Sequence, residues 1–422
     1  MKHLHLFRSS MLIIIALLTV DLSAQFTLEG QLRPRFEFRN GYQKLVPDGS
    51  VPAFLISQRT RLAFSYQSDW LRVKLVPQDV RIWGDEQNAN TSGVFGDVAS
   101  LDMHEAFAEV KVLPMASVII GRQELVYDNQ SILSNRNWNQ NGMAADVALL
   151  RVKAGKWNLH LAGGWNTQKE TGTNHYFISD RLKSLNFIWL NRSFNQGFNL
   201  SLLHIASGIT AGDSTNLIRF RQTTGFYSDY RFRAFSASAN LYYQYGLNKA
   251  GNKVNAWMAD AEARRVFGRL TPSAGFGFLS GNSAIPGANG TDHLFDDIYR
   301  SKHKFFGFMD YFSAMPAHTA QGGLIDLYGA IQYITGRNVT LKNTGHWFSL
   351  AATNTLTPGK PALGYENDLI LSYRQRDRAL WELGYMLFLP TESLKELQKV
   401  PTAKTAHYVY LMVTITPRFI TD

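Results

Sequence analysis

Residues 26–39 read F-T-L-E-G-Q-L-R-P-R-F-E-F-R, and polarity alternates along the run. Phe26, Leu28, Gly30, Leu32, Pro34, Phe36 and Phe38 fall on one side, and Thr27, Glu29, Gln31, Arg33, Arg35, Glu37 and Arg39 on the other. A period of two is that of an extended strand, whose successive side chains point to opposite faces of a sheet. Two folds accommodate such a ribbon. In a soluble sandwich the apolar face is core and the charged face meets bulk water. In a transmembrane barrel the apolar face meets lipid and the charged face a water-filled lumen.

The remainder of the chain favours the barrel. Lys2 and Arg8 precede an apolar run over residues 11–20, and Leu22-Ser23-Ala24 comes before Gln25. That is the layout of a secretory signal peptide, with cleavage expected after Ala24 and residues 25–422 left as a single barrel domain. Past Gln25 there is no run of about 18 apolar residues, so no spanning helix is expected. An integral protein built this way must be a closed barrel, because only helices and closed barrels satisfy every backbone group in lipid. Cysteine is absent, which removes disulfides, thiolate metal sites and cysteine nucleophiles. Aromatic residues make up 13% of the chain and charged residues only 18%, against an average of about 25% charged. Both shifts suit strands with one face in lipid and rings at its interfaces. The formal net charge is +10; for an exported protein this points to outer-membrane lipid, lipopolysaccharide and anionic solutes as partners, with no nucleic acid.

Long polar segments alternate with tight connections throughout. The long ones fall near residues 40–53, 84–101, 127–141, 166–181, 206–218, 246–252, 280–322, 353–364 and 390–405. The short ones fall near 68–70, 113–117, 153–156, 191–197, 229–233, 265–269, 336–338 and 375–379. Long loops at one end and short turns at the other mark an outer-membrane barrel with external loops and periplasmic turns. With both termini periplasmic, this gives nine hairpins and about eighteen strands in one closed antiparallel transmembrane β-barrel. A sandwich would show no such asymmetry. Residues 393–400 and 292–303 are expected to form short helices within loops; Ser393 and Glu396 have capping-box spacing. Loop 280–322 is long enough to plug the lumen.

Enzymatic motifs are scarce, and no catalytic, cofactor or metal site is expected. His104-Glu105 lacks the second histidine of H-E-x-x-H, neither G-x-S-x-G nor a P-loop occurs, and the 11 histidines have no ligand spacing. Ser201 and His204 lie three residues apart, which puts them on opposite faces of a strand. The chemistry present is a series of inward-directed cations, Arg33, Arg35, Arg59, Arg61, Arg72, Lys74, Arg122 and Arg219 or Arg221. Glu29, Glu37, Asp79, Glu105, Glu109, Glu124 and Asp368 are interleaved with them. Guanidinium groups hold carboxylates bidentately, so such a series can pass an anion from site to site. It can equally pair with the acids and brace a wide barrel.

From Gly121 the chain reads G-R-Q-E-L-V-Y-D-N-Q-S-I-L-S-N-R-N-W-N-Q-N-G, followed by L-Y-Y-Q-Y-G at Leu241, L-S-G at Leu279 and F-F-G-F-M-D-Y-F at Phe305. In this order the motifs resemble the alginate-export family of outer-membrane barrels of the Bacteroidetes type. The resemblance covers most of residues 25–422. It implies an eighteen-stranded barrel whose arginine-rich lumen lets an anionic polysaccharide out of the periplasm, with periplasmic export or assembly partners. The matching positions are Arg122, Gln123, Glu124, Tyr127, Asp128, Arg136 and Trp138. Arg122 and Glu124 are expected to face the lumen, and residues 127–138 to lie at the outer mouth or fold into the pore. The alternatives are a general or nutrient-uptake porin with little anion preference, and a barrel enzyme or adhesin.

Overall fold

A computed structural model describes residues 25–84, 86–89, 95–97, 101–194, 197–297 and 299–421; the expected signal peptide, residues 1–24, lies outside the described residues. The wall is built of β1 (Gln25–Asn40), β2 (Ala53–Gln67), β3 (Leu71–Ile82), β4 (Asp102–Leu113), β5 (Ala116–Gln123) and β6 (Ala145–Ala154). It continues with β7 (Trp157–Trp165), β8 (Ser184–Ser193), β9 (Phe198–Thr210), β10 (Ile218–Phe232), β11 (Phe235–Leu247) and β12 (Lys253–Arg265). β13 (Leu270–Leu279), β14 (Leu324–Thr335), β15 (Val339–Ser349), β16 (Ala362–Gln375), β17 (Ala379–Pro390) and β18 (Ala406–Ile415) complete it.

Each strand pairs antiparallel with the next, and β18 returns to β1 in the register Arg39↔Tyr408, Phe36↔Leu411 and Leu32↔Ile415. Pro417 has no N–H to give the ladder, and the strand resumes at Arg418–Thr421 beside Thr27–Glu29. Closure leaves no edge, as lipid requires. Connections of two to four residues alternate with nine long loops, and Gln25 and Thr421, the ends of the described residues, both lie at the turn end.

Inside and outside follow from the alternation. Phe54 is 70% exposed, Trp157, Leu383 and Leu411 are also exposed, and Arg33, Arg35, Glu37 and Arg59 are buried. The apolar side of β1 therefore faces out and its arginine side faces in. Outward Trp157, Tyr230 and Trp381 stand toward the turn end, and Trp83, Trp165, Trp257 and Trp347 toward the loop end, the two aromatic levels of a membrane-spanning band.

The lumen is not a uniformly polar tube. Segments 124–144 and 280–323 fold inward and pack Leu125, Leu133, Phe295, Met309 and Phe312 against the inward wall residues Phe187, Ile205, Met258, Phe348 and Phe388. Burying each such side chain stabilises the filled state by roughly 1.5–3 kcal/mol. The long loop thus forms a plug with its own apolar core. Glu392–Leu397 is helical, but its cap is Thr391, whose Oγ1 accepts from the Leu394 N–H at 3.3 Å. The helix expected over 292–303 is reduced to Lys302–Phe305. Asn282 Oδ1 takes the His293 N–H and Asp292 Oδ1 takes the Leu294 N–H, so side-chain acceptors compete with helical bonding there.

The lipid assignment makes a direct prediction for the mid-wall pair Leu383 and Leu411, which face each other across β17 and β18. Replacing either by arginine should cost about 2–4 kcal/mol in urea titrations of folding into lipid vesicles. Substitution without measurable cost would mean that this face does not meet hydrocarbon.

Candidate functional site

β1 and β2 place Arg33 directly across from Arg59, with Gln31 opposite Arg61 one inward step toward the turn end. Like charges directly opposed on a sheet repel, and burial adds a desolvation cost. The compensation comes from the inward segment after β5. Arg33 Nη1 donates to the Asn137 carbonyl at 2.6 Å, and its Nη2 donates to the Asn139 carbonyl at 3.1 Å and to Gln140 Oε1 at 2.9 Å. Arg35 Nη1 donates to the Trp138 carbonyl at 2.9 Å. Arg59 Nη2 donates to Asn137 Oδ1 at 2.8 Å and its Nη1 to the Gln140 carbonyl at 3.4 Å, while Arg61 Nη2 reaches the Asn141 carbonyl at 3.2 Å. Four guanidinium groups thus grip five consecutive residues.

Their charge balance is uneven. Arg35 pairs with Glu37 at 2.7 Å, and Arg61 with Glu124 at 3.7 Å. Neither Arg33 nor Arg59 has a carboxylate within 4.0 Å among the described residues. Glu382 acts on Arg33 only from beyond that distance. Trp138 locks the strip in place: the Arg35 guanidinium lies 4.2 Å from its ring centroid, and the His303 ring is stacked on it at 3.7 Å.

The strip divides the lumen. Asn135 and Asn137 face a cavity of about 420 Å³ on the turn side, lined also by Arg61, Lys74, Glu105 and Glu124. Arg136, Trp138 and Asn139 face one of about 230 Å³ on the loop side with Gln43, Lys302, His303 and Asp310. The turn-side space continues past Glu105 and Glu124 to Arg72, Arg151, His160 and Trp189. In this vestibule Arg72 and Arg151 share Glu109 at 3.6 and 3.7 Å, each guanidinium side chain remaining about two-fifths exposed. Lys74 pairs with Glu105 at 2.5 Å.

Arg33, Arg35, Arg59 and Arg61 are therefore brought together under the strip, while Arg72 and Lys74 line the vestibule. Glu124 sits beside them. Burial opposes its ionisation, but hydrogen bonds from His104 at 2.7 Å and Asn135 at 2.8 Å hold its pKa below the usual value. Arg136 borders the mouth cavity and donates to the Arg300 carbonyl at 3.1 Å. Burial lowers its pKa, with Asp297 and Asp296 opposing. Arg219 and Arg221 both have inward parity, and Arg221 is bound by Asp296 of the plug loop.

Arg122 departs from expectation. Ile119 and Val147 are buried inward, whereas Arg122 and its cross-strand partner Asp146 face outward and pair at 2.9 Å. The preceding S-V-I-I-G has no polar alternation from which the inward face can be read. Asp79 also faces outward, sharing the side of Leu75, and is held by Arg81 at 2.8 Å. Arg151, Asn137, Gln140, His160 and His303 did not emerge from the sequence. His160 had a signal, since it alternates with Trp157, Leu159 and Leu161, whereas Arg151 shares parity with apolar Val147 and Leu149, which would have placed it outward. Ser201 faces inward and donates to Asp128 at 2.6 Å, whereas His204 contacts Thr224 on the exposed side.

Asp128 lies in the inward segment, where burial pushes its carboxyl up to about 6 against hydrogen bonds from Ser201 and Trp189. A folded-state value above the ordinary 3.8 means that the folded barrel binds this proton more tightly than the unfolded chain. The associated stability is complete below about pH 4 and is lost as pH rises through 6. Asp128→Asn keeps an acceptor for both donors, so it should raise the urea midpoint over wild type at pH 8, with the gain vanishing below pH 4. A gain that does not vary with pH would contradict this assignment.

Residues 24–163 match the alginate export family. No curated protein matches the chain in sequence. Solved structures that resemble it include OccK9 (OpdG) of Pseudomonas aeruginosa, at 11% identity and TM-score 0.64 over 93% of this chain and 98% of that one. OpdL of the same organism aligns at 12% identity and TM-score 0.63, covering 94% and 99%. OccAB2 of Acinetobacter baumannii aligns at 13% and 0.61, covering 94% and 98%. At such identities the likeness is one of fold. The chain folds as a closed eighteen-stranded antiparallel β-barrel like those outer-membrane structures, and its residues 24–163 match the alginate-export family model.

Proposed function

We propose that the protein is a passive outer-membrane channel for anionic saccharides, polyuronates of the alginate class or related anionic solutes, with its loops outside and both termini in the periplasm after cleavage at Ala24. The observation that carries this reading is the buried Arg33–Arg59 pair, bound to neutral carbonyl and amide oxygens and, among the described residues, to no carboxylate within ion-pair distance. Backbone carbonyls are partial charges. A solute carboxylate offers a full charge and bidentate geometry, and charge-assisted bonds of this kind are roughly twice as strong as neutral ones. An anion arriving at Arg72 and Arg151 can move past Lys74 and Arg61 to Arg33 and Arg59, displace residues 137–141, and leave by Arg136 and Lys302. Glu105, Glu109 and Glu124 keep each stop weak enough to leave, as conduction requires.

Those acids also support a second reading. The vestibule carboxylates offset much of its basic charge, which fits a nutrient-uptake porin with little anion preference. Reversal potentials across a KCl gradient in planar bilayers separate the two. The anion channel should favour chloride. Arg33→Ala/Arg59→Ala should lose that preference and raise the mean conductance by freeing the strip. Selectivity unchanged in the double variant would overturn the arginine-path reading.

A further inference from the structure

The outward face carries a second group of arginines, at the turn-end rim. The Arg192 guanidinium lies 4.7 Å from the ring centroids of both Trp157 and Phe194, that of Arg233 5.2 Å from Phe232, and that of Arg265 4.9 Å from Phe267. Arg192 is in register with outward Trp157, and Arg265 with outward Phe235, which puts both on the lipid side of the wall. None of the three has a carboxylate within 4.0 Å among the described residues. Outward arginines toward the loop end differ: Arg81 is held by Asp79 at 2.8 and 2.9 Å, and Arg122 by Asp146 at 2.9 Å. Among these five arginines, the neutralised ones thus stand near one rim and the unneutralised, ring-supported ones at the other.

Directly above Arg233 and Arg265 the wall is recessed. Ala237, Ala239, Ala261, Ala263 and Ala274, bordered by Tyr230 and Phe276, leave an outward cleft of about 510 Å³. Ala263 precedes Arg265 by two residues on the same face, a rise of about 7 Å. A cleft in hydrocarbon is filled by an alkyl chain. An aromatic ring fixes a guanidinium plane while leaving its N–H edge free for phosphate oxygens.

We propose that this face is a binding site for one anionic phospholipid of the leaflet on the turn side, with its phosphodiester between Arg233 and Arg265, one acyl chain in the alanine cleft, and Arg192 extending the charged belt. The proposal rests on the membrane-spanning barrel and not on what crosses the lumen. Charge complementarity selects the occupant: a zwitterionic lipid brings its own cation to the arginines, and a second copy of this chain would bring the same arginines.

Native mass spectrometry of the detergent-purified full-length barrel tests this with phosphatidylglycerol, phosphatidylcholine of the same chains, and inorganic phosphate. Phosphatidylglycerol should bind roughly tenfold more tightly than phosphatidylcholine, and phosphate alone should not bind. Arg233→Ala/Arg265→Ala should bring phosphatidylglycerol down to the phosphatidylcholine level. Ala261→Phe, which fills the cleft and keeps both charges, should weaken retention of either lipid. Heat-modifiable gel mobility checks that each variant is folded, and bilayer selectivity of the arginine variant should equal wild type whether or not the lumen carries anions. Equal retention of the two lipids, phosphatidylglycerol binding unchanged in the arginine variant, phosphate binding equal to that of the lipid, or a dimer mass lost in Ala261→Phe would each overturn the proposal.

Discussion

Two guanidinium groups set face to face on neighbouring strands repel, and the interior of this barrel is arranged around that repulsion. Arg33 and Arg59 stay in place because residues 137–141 present a row of carbonyl and amide oxygens to them. The interaction works in both directions. The oxygens solvate buried cations, and the cations order a segment that would otherwise carry unpaired carbonyls across the lumen. Without the strip the pair would attract the first anion to reach it.

The rest of the fold holds this arrangement steady. Closure through β1 and β18 places the two arginine strands in a wall without an edge. The plug loop supplies His303, stacked on Trp138, and packs its own apolar residues against the far wall. Polar groups also join the plug to β16 and to the loop after β1: Glu366 on β16 accepts the Met309 N–H at 2.8 Å, and Tyr42 of that loop donates to Asp310 at 2.5 Å. The strip therefore lies between a rigid wall and a packed plug. Trp138 ties the strip to the apolar core, where it meets Phe308 and Tyr410 edge-on at 6.0 and 5.0 Å.

Much of the wall was legible in the sequence because a period of two survives wherever one face meets lipid and the other meets polar groups. Residues 26–39, 235–245 and 409–415 all take the faces that their alternation indicates. Legibility failed where both faces are apolar. Around Ile119 the inward side chain packs against a folded-in loop, so alternation vanished and Arg122 was placed on the wrong side. The arginine grip left no trace for another reason. The acceptors are largely main-chain carbonyls, which every residue carries, so the identity of residues 137–141 does not announce them. The length of loop 280–322 points to a plug, but the wall it packs against is not readable, since Met258, Phe348 and Phe388 read as ordinary strand residues until the plug is seen against them.

Hydrogen exchange over residues 135–143, followed by mass spectrometry on the detergent-solubilised barrel, tests most directly whether an anion competes with the strip for the arginines. The amides of Asn139, Gly142 and Met143 are bonded within this segment at 3.0, 3.1 and 2.7 Å, so they exchange slowly while it is seated. A saturating oligouronate should speed their exchange, and a neutral oligosaccharide of equal length should leave it unchanged. Equal exchange with both ligands, or slower exchange with the oligouronate, would contradict the account.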